Sequence, residues 1–200
     1  MPTTVRFFVQ RHGKHDGNLT EEGIQQVQEA AKKHLSGVHF DCAFSSEVPR
    51  ARQTAEQALI AIGQEQLIKS IREEPGFGYA FAEDPRWPNE NLLKQIADAE
   101  KAGRIVTVEF ILNELRNPPC LKTAAGLLLT MHQRARWLAF TKQGPCINVL
   151  VGSHGTNVLA TLQPKVTPWA RNADIMYYEF KVERPGASQL IHSQYLPAEG

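Results

Sequence analysis

"VRFFVQRHGKHDGN", residues 5–18, breaks a short apolar run at Arg11 and His12, placing a cation and an imidazole where a buried strand should be ending. Val5 to Gln10 is β-branched and aromatic and is followed by Gly13, Gly17 and Asn18, so it is predicted to be a buried first strand running into a polar turn. Thr20 then caps a helix with Glu21 and Glu22 in its first turn, favourable at the positive helix end. Ile24, Val27, Ala31 and Leu35 recur at helical spacing, and Gly37 follows as a stop.

The same unit recurs down the chain. "HFDCAFSS", His39 to Ser46, reads as a second strand, and Pro49 to Gly63 as a helix with Ala51, Ala55, Ala58, Leu59 and Ile62 inward. A weak strand is predicted at Leu67 to Ile71. "EEPGFGYAFAEDPRWPNEN", Glu73 to Asn91, is irregular, and its aromatics mark a functional loop rather than a linker. Helices are predicted over Asn91 to Ala102, Val106 to Leu115 and Thr123 to Lys142. "CINVLVGSHGTN" repeats the opening logic: a strand, Ile147 to Val151, ends in Gly152, Ser153, His154 and Gly155, with a short helix from Thr156. Ile175 to Val182 and Ser188 to His192 close the pattern, the latter at an edge. Strands alternating with helices imply an α/β fold, a three-layer α/β/α sandwich with a mostly parallel central sheet, as one domain over residues 1–200. Ligands of such sheets bind beyond the carboxyl ends of the strands, which is where His12 and His154 fall.

Composition narrows the function classes. The 200 residues are 42% hydrophobic and 22% charged, and 22 Lys and Arg against 21 Asp and Glu give a formal charge of +1. Such a balance supplies no global field for nucleic acid or an anionic membrane, so anion recognition must be local. Cys42, Cys120 and Cys146 are an odd, sparse set without a CxxC pair, which argues against a disulfide framework and a thiolate zinc site and for a reducing compartment. The first apolar run stops at Val9, too short for a signal-peptide core, and no later run approaches a membrane span. A cytoplasmic protein with neither nucleic acid nor membrane as partner is expected; the oligomeric state is not legible.

Taken singly, Arg11 and His12 read more readily as structural residues than as catalytic ones. Their company changes that. The second strand ends in Ser45 and Ser46, and Arg50 follows at a helix start, inside "SSEVPRARQTAE". From there its side chain can point back to the same sheet edge, while helical spacing turns Arg52 elsewhere. Two arginines and two histidines make a compact site for a tetrahedral dianion, because guanidinium forks match phosphate oxygens and Gly13 and Gly155 let the backbone approach.

"RHG" after the first strand, Ser-Ser-x-x-x-Arg-Ala after the second and "SHG" after a late strand, in that order, resemble the histidine phosphatase superfamily, also called phosphoglycerate mutase-like. The resemblance implies a two-step, metal-independent phosphoryl transfer with no cofactor. His12 attacks phosphorus to give a phosphohistidine that water hydrolyses, and Arg11, Arg50 and His154 hold the phosphoryl oxygens. It also implies phosphate-site positions for Gly13, Asn18 and Gly155. A proton donor is needed for the leaving alkoxide, and Glu74, in Glu-Pro-Gly-Phe-Gly, has the form many members use. Glu73, Glu83 and Asp84 are the alternatives.

Lys14 and His15 depart from the usual continuation of RHG, and an extra cation and imidazole at the mouth would favour a more anionic substrate. Phe77, Tyr79, Phe81 and Trp87 read as packing rather than ring-stacking residues. His34, His39, His132 and His192 show no ligand spacing. The Cys-based phosphatase loop, the Walker loop, HExxH and paired-aspartate motifs are all missing from the sequence. The expected function is hydrolysis of a phosphomonoester or phosphoprotein; the alternatives are a mutase-type phosphoryl transferase and a non-catalytic module that binds phosphorylated ligands.

Overall fold

In the computed structural model, β1 (Thr3–Arg11), β2 (Cys42–Ser45), β3 (Arg72–Glu73), β4 (Cys146–Ser153), β5 (Ile175–Glu183) and β6 (Ala187–Leu196) form one sheet in the order β3-β2-β4-β1-β5-β6. The structure describes residues 2–78, 90–103, 105–107, 109, 118–142, 144–155, 167–168, 170–183 and 186–198. Pairings β3-β2, β2-β4 and β4-β1 are parallel, while β1-β5 and β5-β6 are antiparallel. The helices are α1 (Glu21–Leu35), α2 (Pro49–Ala61), α3 (Glu90–Lys101) and α4 (Pro118–Thr141). None among the described residues is long and apolar enough to cross a membrane.

Apolar side chains on both faces explain why the central strands read as continuous hydrophobic runs. Val5, Phe7 and Val9 of β1 and Ile147, Val149 and Val151 of β4 share a core with Leu127, Met131, Ala135 and Leu138 of α4. Phe8 and Leu150, one residue out of step, pack with Val27, Ala31 and Leu35 of α1 and Ala55, Ala58 and Leu59 of α2 on the other face. Each fully buried side chain of this size contributes about 1.5–3 kcal/mol. Among the buried polar side chains of the strands is Gln10, near the end of β1, whose amide donates to the Val27 and Ala173 carbonyls at 3.2 Å each. It ties the last turn of the strand to α1.

Thr20 caps α1 as expected, accepting from Gly23 N, and Gly37 ends it with φ of 83°. Several boundaries differ. β2 is shorter than His39 to Ser46, because His39 and Asp41 are engaged with Asn148 through side-chain and backbone bonds instead of a regular ladder. Leu67 to Ile71 is not a strand: a 3-10 helix spans Glu65–Ser70, and only Arg72–Glu73 pairs with β2. Gln64 causes this by bonding Phe40 N and Val38 O through its side chain while its own carbonyl accepts from Leu67 N, which turns the chain. Of the helix predicted over Val106 to Leu115, Val106 and Thr107 are not helical, whereas Glu109 is. Thr107 bridges Pro168, and residues 110–117 lie outside those described. The long helix starts at Pro118 rather than Thr123, using proline at the N-terminal position it tolerates. The short helix predicted from Thr156 falls outside the described residues. β6 sits at one edge, as its pattern implied, and the two-residue β3 blunts the other.

Candidate active site

β1 and β4 run side by side in parallel register with Arg11 opposite Ser153, so the next residues, His12 and His154, leave the sheet together. His12 N donates to Ser153 O at 3.0 Å, and the two ring centroids are 5.4 Å apart. β2 brings a third strand end. Ser45 pairs with Gly152, Ser46 N donates to Gly152 O at 3.1 Å, and Ser46 Oγ lies 2.9 Å from His154 Nε2. Both imidazoles are buried, at 3% and 0% exposure.

His12 Nδ1 donates to its neighbour's carbonyl, Gly13 O, at 3.0 Å. That partner assigns the ring proton to Nδ1 and leaves the Nε2 lone pair unprotonated. Burial first, then the charges of Arg11 and Arg50, push the His12 pKa down to about 3 against the opposing bond to Gly13. Burial, followed by His12, Arg50 and Arg11, pushes His154 down to about 2. At neutral pH the site therefore holds neutral imidazoles beside permanent cations. Such a combination suits an unprotonated nitrogen nucleophile and a dianionic substrate.

Arg11 is placed by the loop before β5: its Nη1 donates to Ala170 O, and its backbone N donates to Asp174 O at 2.9 Å. Gly155 backs the guanidinium, since a Cβ there would stand 3.3 Å from Arg11 Nε. Arg50 sits in the first turn of α2, and among the described residues its buried Nε has no hydrogen-bond partner. Arg52 points elsewhere, pairing with Glu56 at 3.0 Å and Glu73 at 3.6 Å. Gly13 does something the sequence did not suggest. A Cβ on it would come within 2.2 Å of Gly23 O, so its bareness admits the start of α1.

Glu74 reaches the same edge by donating its backbone N to Ser45 O at 2.8 Å, but its carboxylate is ion-paired with Arg134 of α4. Glu73 is taken up by Arg52, and Glu83 and Asp84 lie outside the described residues. Asn18 is exposed in the loop closed by the His15–Leu19 bridge. Lys14 turns to α1 and pairs with Glu22 at 2.5 Å, both exposed, a contact of small energetic worth. His15 instead lies against His12, centroids 4.5 Å apart and rings nearly perpendicular at 87°. Phe77 packs as expected, with its centroid 6.4 Å from Phe7 and 6.0 Å from Phe44; Tyr79, Phe81 and Trp87 lie outside the described residues. His34 and His132 bond to Pro197 O and Ser188 Oγ, away from the site.

Sequence reasoning missed three contributors. The Ser-Ser doublet was read as a strand end, and its second hydroxyl proves to meet His154. The Ala170–Asp174 loop and Arg134 carry no local signal, because each acts through a contact distant in the chain.

Residues 7–78 match the model of the histidine phosphatase superfamily (branch 1), and the whole fold superposes on the phosphoglycerate mutase of Bacillus anthracis with a TM-score of 0.60. The chain has the histidine phosphatase fold. That superposition covers 94% of this chain and 92% of the other at 19% identity. A mycobacterial glucosyl-3-phosphoglycerate phosphatase, solved with inorganic phosphate, superposes with a TM-score of 0.53 at 19% identity, covering 96% and 98% of the two chains. In sequence, a 2,3-bisphosphoglycerate-dependent phosphoglycerate mutase of Mesorhizobium japonicum is 40% identical over 63 residues, 31% of this chain and 30% of that relative. The family match ends at Gly78, so it takes in His12, Arg50 and Glu74 but not His154. The three-dimensional pairing of β1 with β4 is what adds the second histidine to this candidate site.

Proposed function

We propose that the chain is a metal-independent phosphatase that hydrolyses a phosphomonoester or phosphoprotein through a phosphohistidine on His12. The observation that carries this reading is a buried, neutral His12 with Nε2 unprotonated, flanked by Arg11 and Arg50. The Nε2 lone pair attacks phosphorus as the ester bond breaks. Arg11 and Arg50 bind the oxygens on which charge builds, and His154, steadied by Ser46, borders the same space. Water then attacks the phosphohistidine and returns His12 to its neutral state. The charge stabilisation in these steps comes from guanidinium groups, so no step calls for a metal.

A mutase-type transfer to a second acceptor is the other reading, favoured by the phosphoglycerate mutase relatives, although the matched stretch spans only 30% of the first relative's length. One experiment separates them. Para-nitrophenyl phosphate is hydrolysed by the wild type with and without EDTA, turnover is lost in His12→Ala, and Arg50→Ala falls on the order of 10²–10³-fold. Turnover that survives in His12→Ala overturns the nucleophile; phosphoryl groups recovered on an added hydroxy acid rather than as inorganic phosphate establish the mutase.

A further inference from the structure

We propose that His15 is the proton donor to the leaving oxygen and, in the second half of the reaction, the base that takes a proton from water. The inference rests on the phosphatase reading above. Two observations point to it. Glu74, the carboxyl group expected in this role, is engaged by Arg134, whereas the His15 ring stands 4.5 Å from the His12 ring and nearly perpendicular to it. His12 is 3% exposed and His15 is exposed, so the pair joins a buried nucleophile to an imidazole that solvent and a leaving group can reach.

The loop holds that ring in place. His15 bridges Leu19, Leu19 N donates to Gln53 Oε1 of α2 at 2.8 Å, and in the neutral ring Nδ1 accepts from Gly17 N at 3.4 Å, a contact the imidazolium gives up. The groups that face the ring are Arg50 from α2, Arg11 and His12 from the end of β1, His154 from the end of β4, and Asp16 beside it. Burial and the two arginines lower the His15 pKa and outweigh the single opposing charge of Asp16, so the ring is neutral before substrate binds. A phosphate dianion placed between those arginines cancels their repulsion, and the complex takes up a proton at His15. In the first step an electron pair on His12 Nε2 forms the N–P bond. The P–O ester bond breaks, and its pair takes the proton from the His15 imidazolium. In the second step water gives its proton to neutral His15 as its oxygen bonds phosphorus, and the N–P pair returns to His12.

Two measurements test this. Tungstate, a tetrahedral dianion that takes up no proton itself near pH 7, is titrated into the protein by calorimetry in buffers of differing ionisation enthalpy. Net proton uptake by the wild type that disappears in His15→Gln is expected; uptake unchanged in His15→Gln, or none in the wild type, overturns the proposal. Turnover is then compared for para-nitrophenyl phosphate and an unactivated alkyl phosphate. His15→Gln loses on the order of 10²–10⁴-fold on the alkyl ester and markedly less on the aryl ester, and the fall of kcat at alkaline pH disappears. Equal losses on both esters, or a leaving-group dependence that steepens in Glu74→Gln instead, overturns the role of His15. Failure of the phosphatase reading is distinct, since it shows as turnover retained in His12→Ala or as a wild type inactive on both esters.

Discussion

A methyl group on residue 13 has no space to occupy. Its Cβ would fall 2.2 Å from Gly23 O, and a Cβ on Gly23 would fall 2.0 Å from Lys14 O, so the turn after β1 and the start of α1 meet backbone to backbone. Gly13→Ala must push α1 away or move His12, and overpacking of this kind costs about 1–3 kcal/mol. Urea denaturation should show that loss, and activity should fall further than the folded fraction does, because the displaced residue adjoins the nucleophile. Gly126→Ala is the control: nothing lies within 4 Å of its Cβ position inside α4, and helix propensity should yield a gain of about 0.5–1 kcal/mol. The site residues were legible where the chemistry is local, as with Arg11 and His12 at a strand end. Gly13 reads in the sequence as a place of close approach to phosphate; its contact with Gly23 is a second constraint that was not legible, since the pairing of two glycines ten residues apart leaves no periodic trace.

At the scale of elements, the loop entering β5 organises the site from behind. Ala173 N donates to His12 O at 3.2 Å, and the carboxylate of Asp174, 3% exposed, accepts from Arg171 N at 2.5 Å, Ala198 N at 2.8 Å and the Tyr195 hydroxyl. Ala173 holds this turn with φ of 63°, a conformation that only strong surrounding bonds sustain in a non-glycine residue. Hydrogen bonds to a charged group are worth about 1.5–3 kcal/mol each, so Asp174→Ala should lower stability by about 3 kcal/mol or more in urea titrations. Turnover should fall with it, through the Ala170 carbonyl that holds Arg11. Tyr195→Phe, which removes one of the donors, should cost about 1–2 kcal/mol. No sequence pattern announced this cluster. Strands and helices were legible because period and capping are local properties; the 3-10 turn at Glu65–Ser70 was not, because Gln64 imposes it through Phe40 and Val38 across the fold.

For the whole molecule, the site makes folding depend on acid. His12 and His154 are held near 3 and 2, from the ordinary 6.5, chiefly by burial, so between about pH 6.5 and 3 the unfolded chain binds protons that the folded chain refuses. Their contribution is thus fully present above the unfolded value of 6.5 and is lost as pH falls toward the folded values. The size over that window is on the order of a few kcal/mol, a large fraction of a domain's typical stability of about 5–15 kcal/mol. Denaturant midpoints measured from about pH 7.5 down to 4 should drop with a slope approaching two protons below pH 6. His12→Gln and His154→Gln should each remove about one proton from that slope, and the double variant should flatten it. Tungstate should raise the denaturant midpoint at neutral pH, since a dianion bound between Arg11 and Arg50 binds only the folded state. A slope that persists in the double variant would place the acid sensitivity elsewhere, and the groups to examine are then His15 and His132, whose pKa values burial and neighbouring arginines also lower.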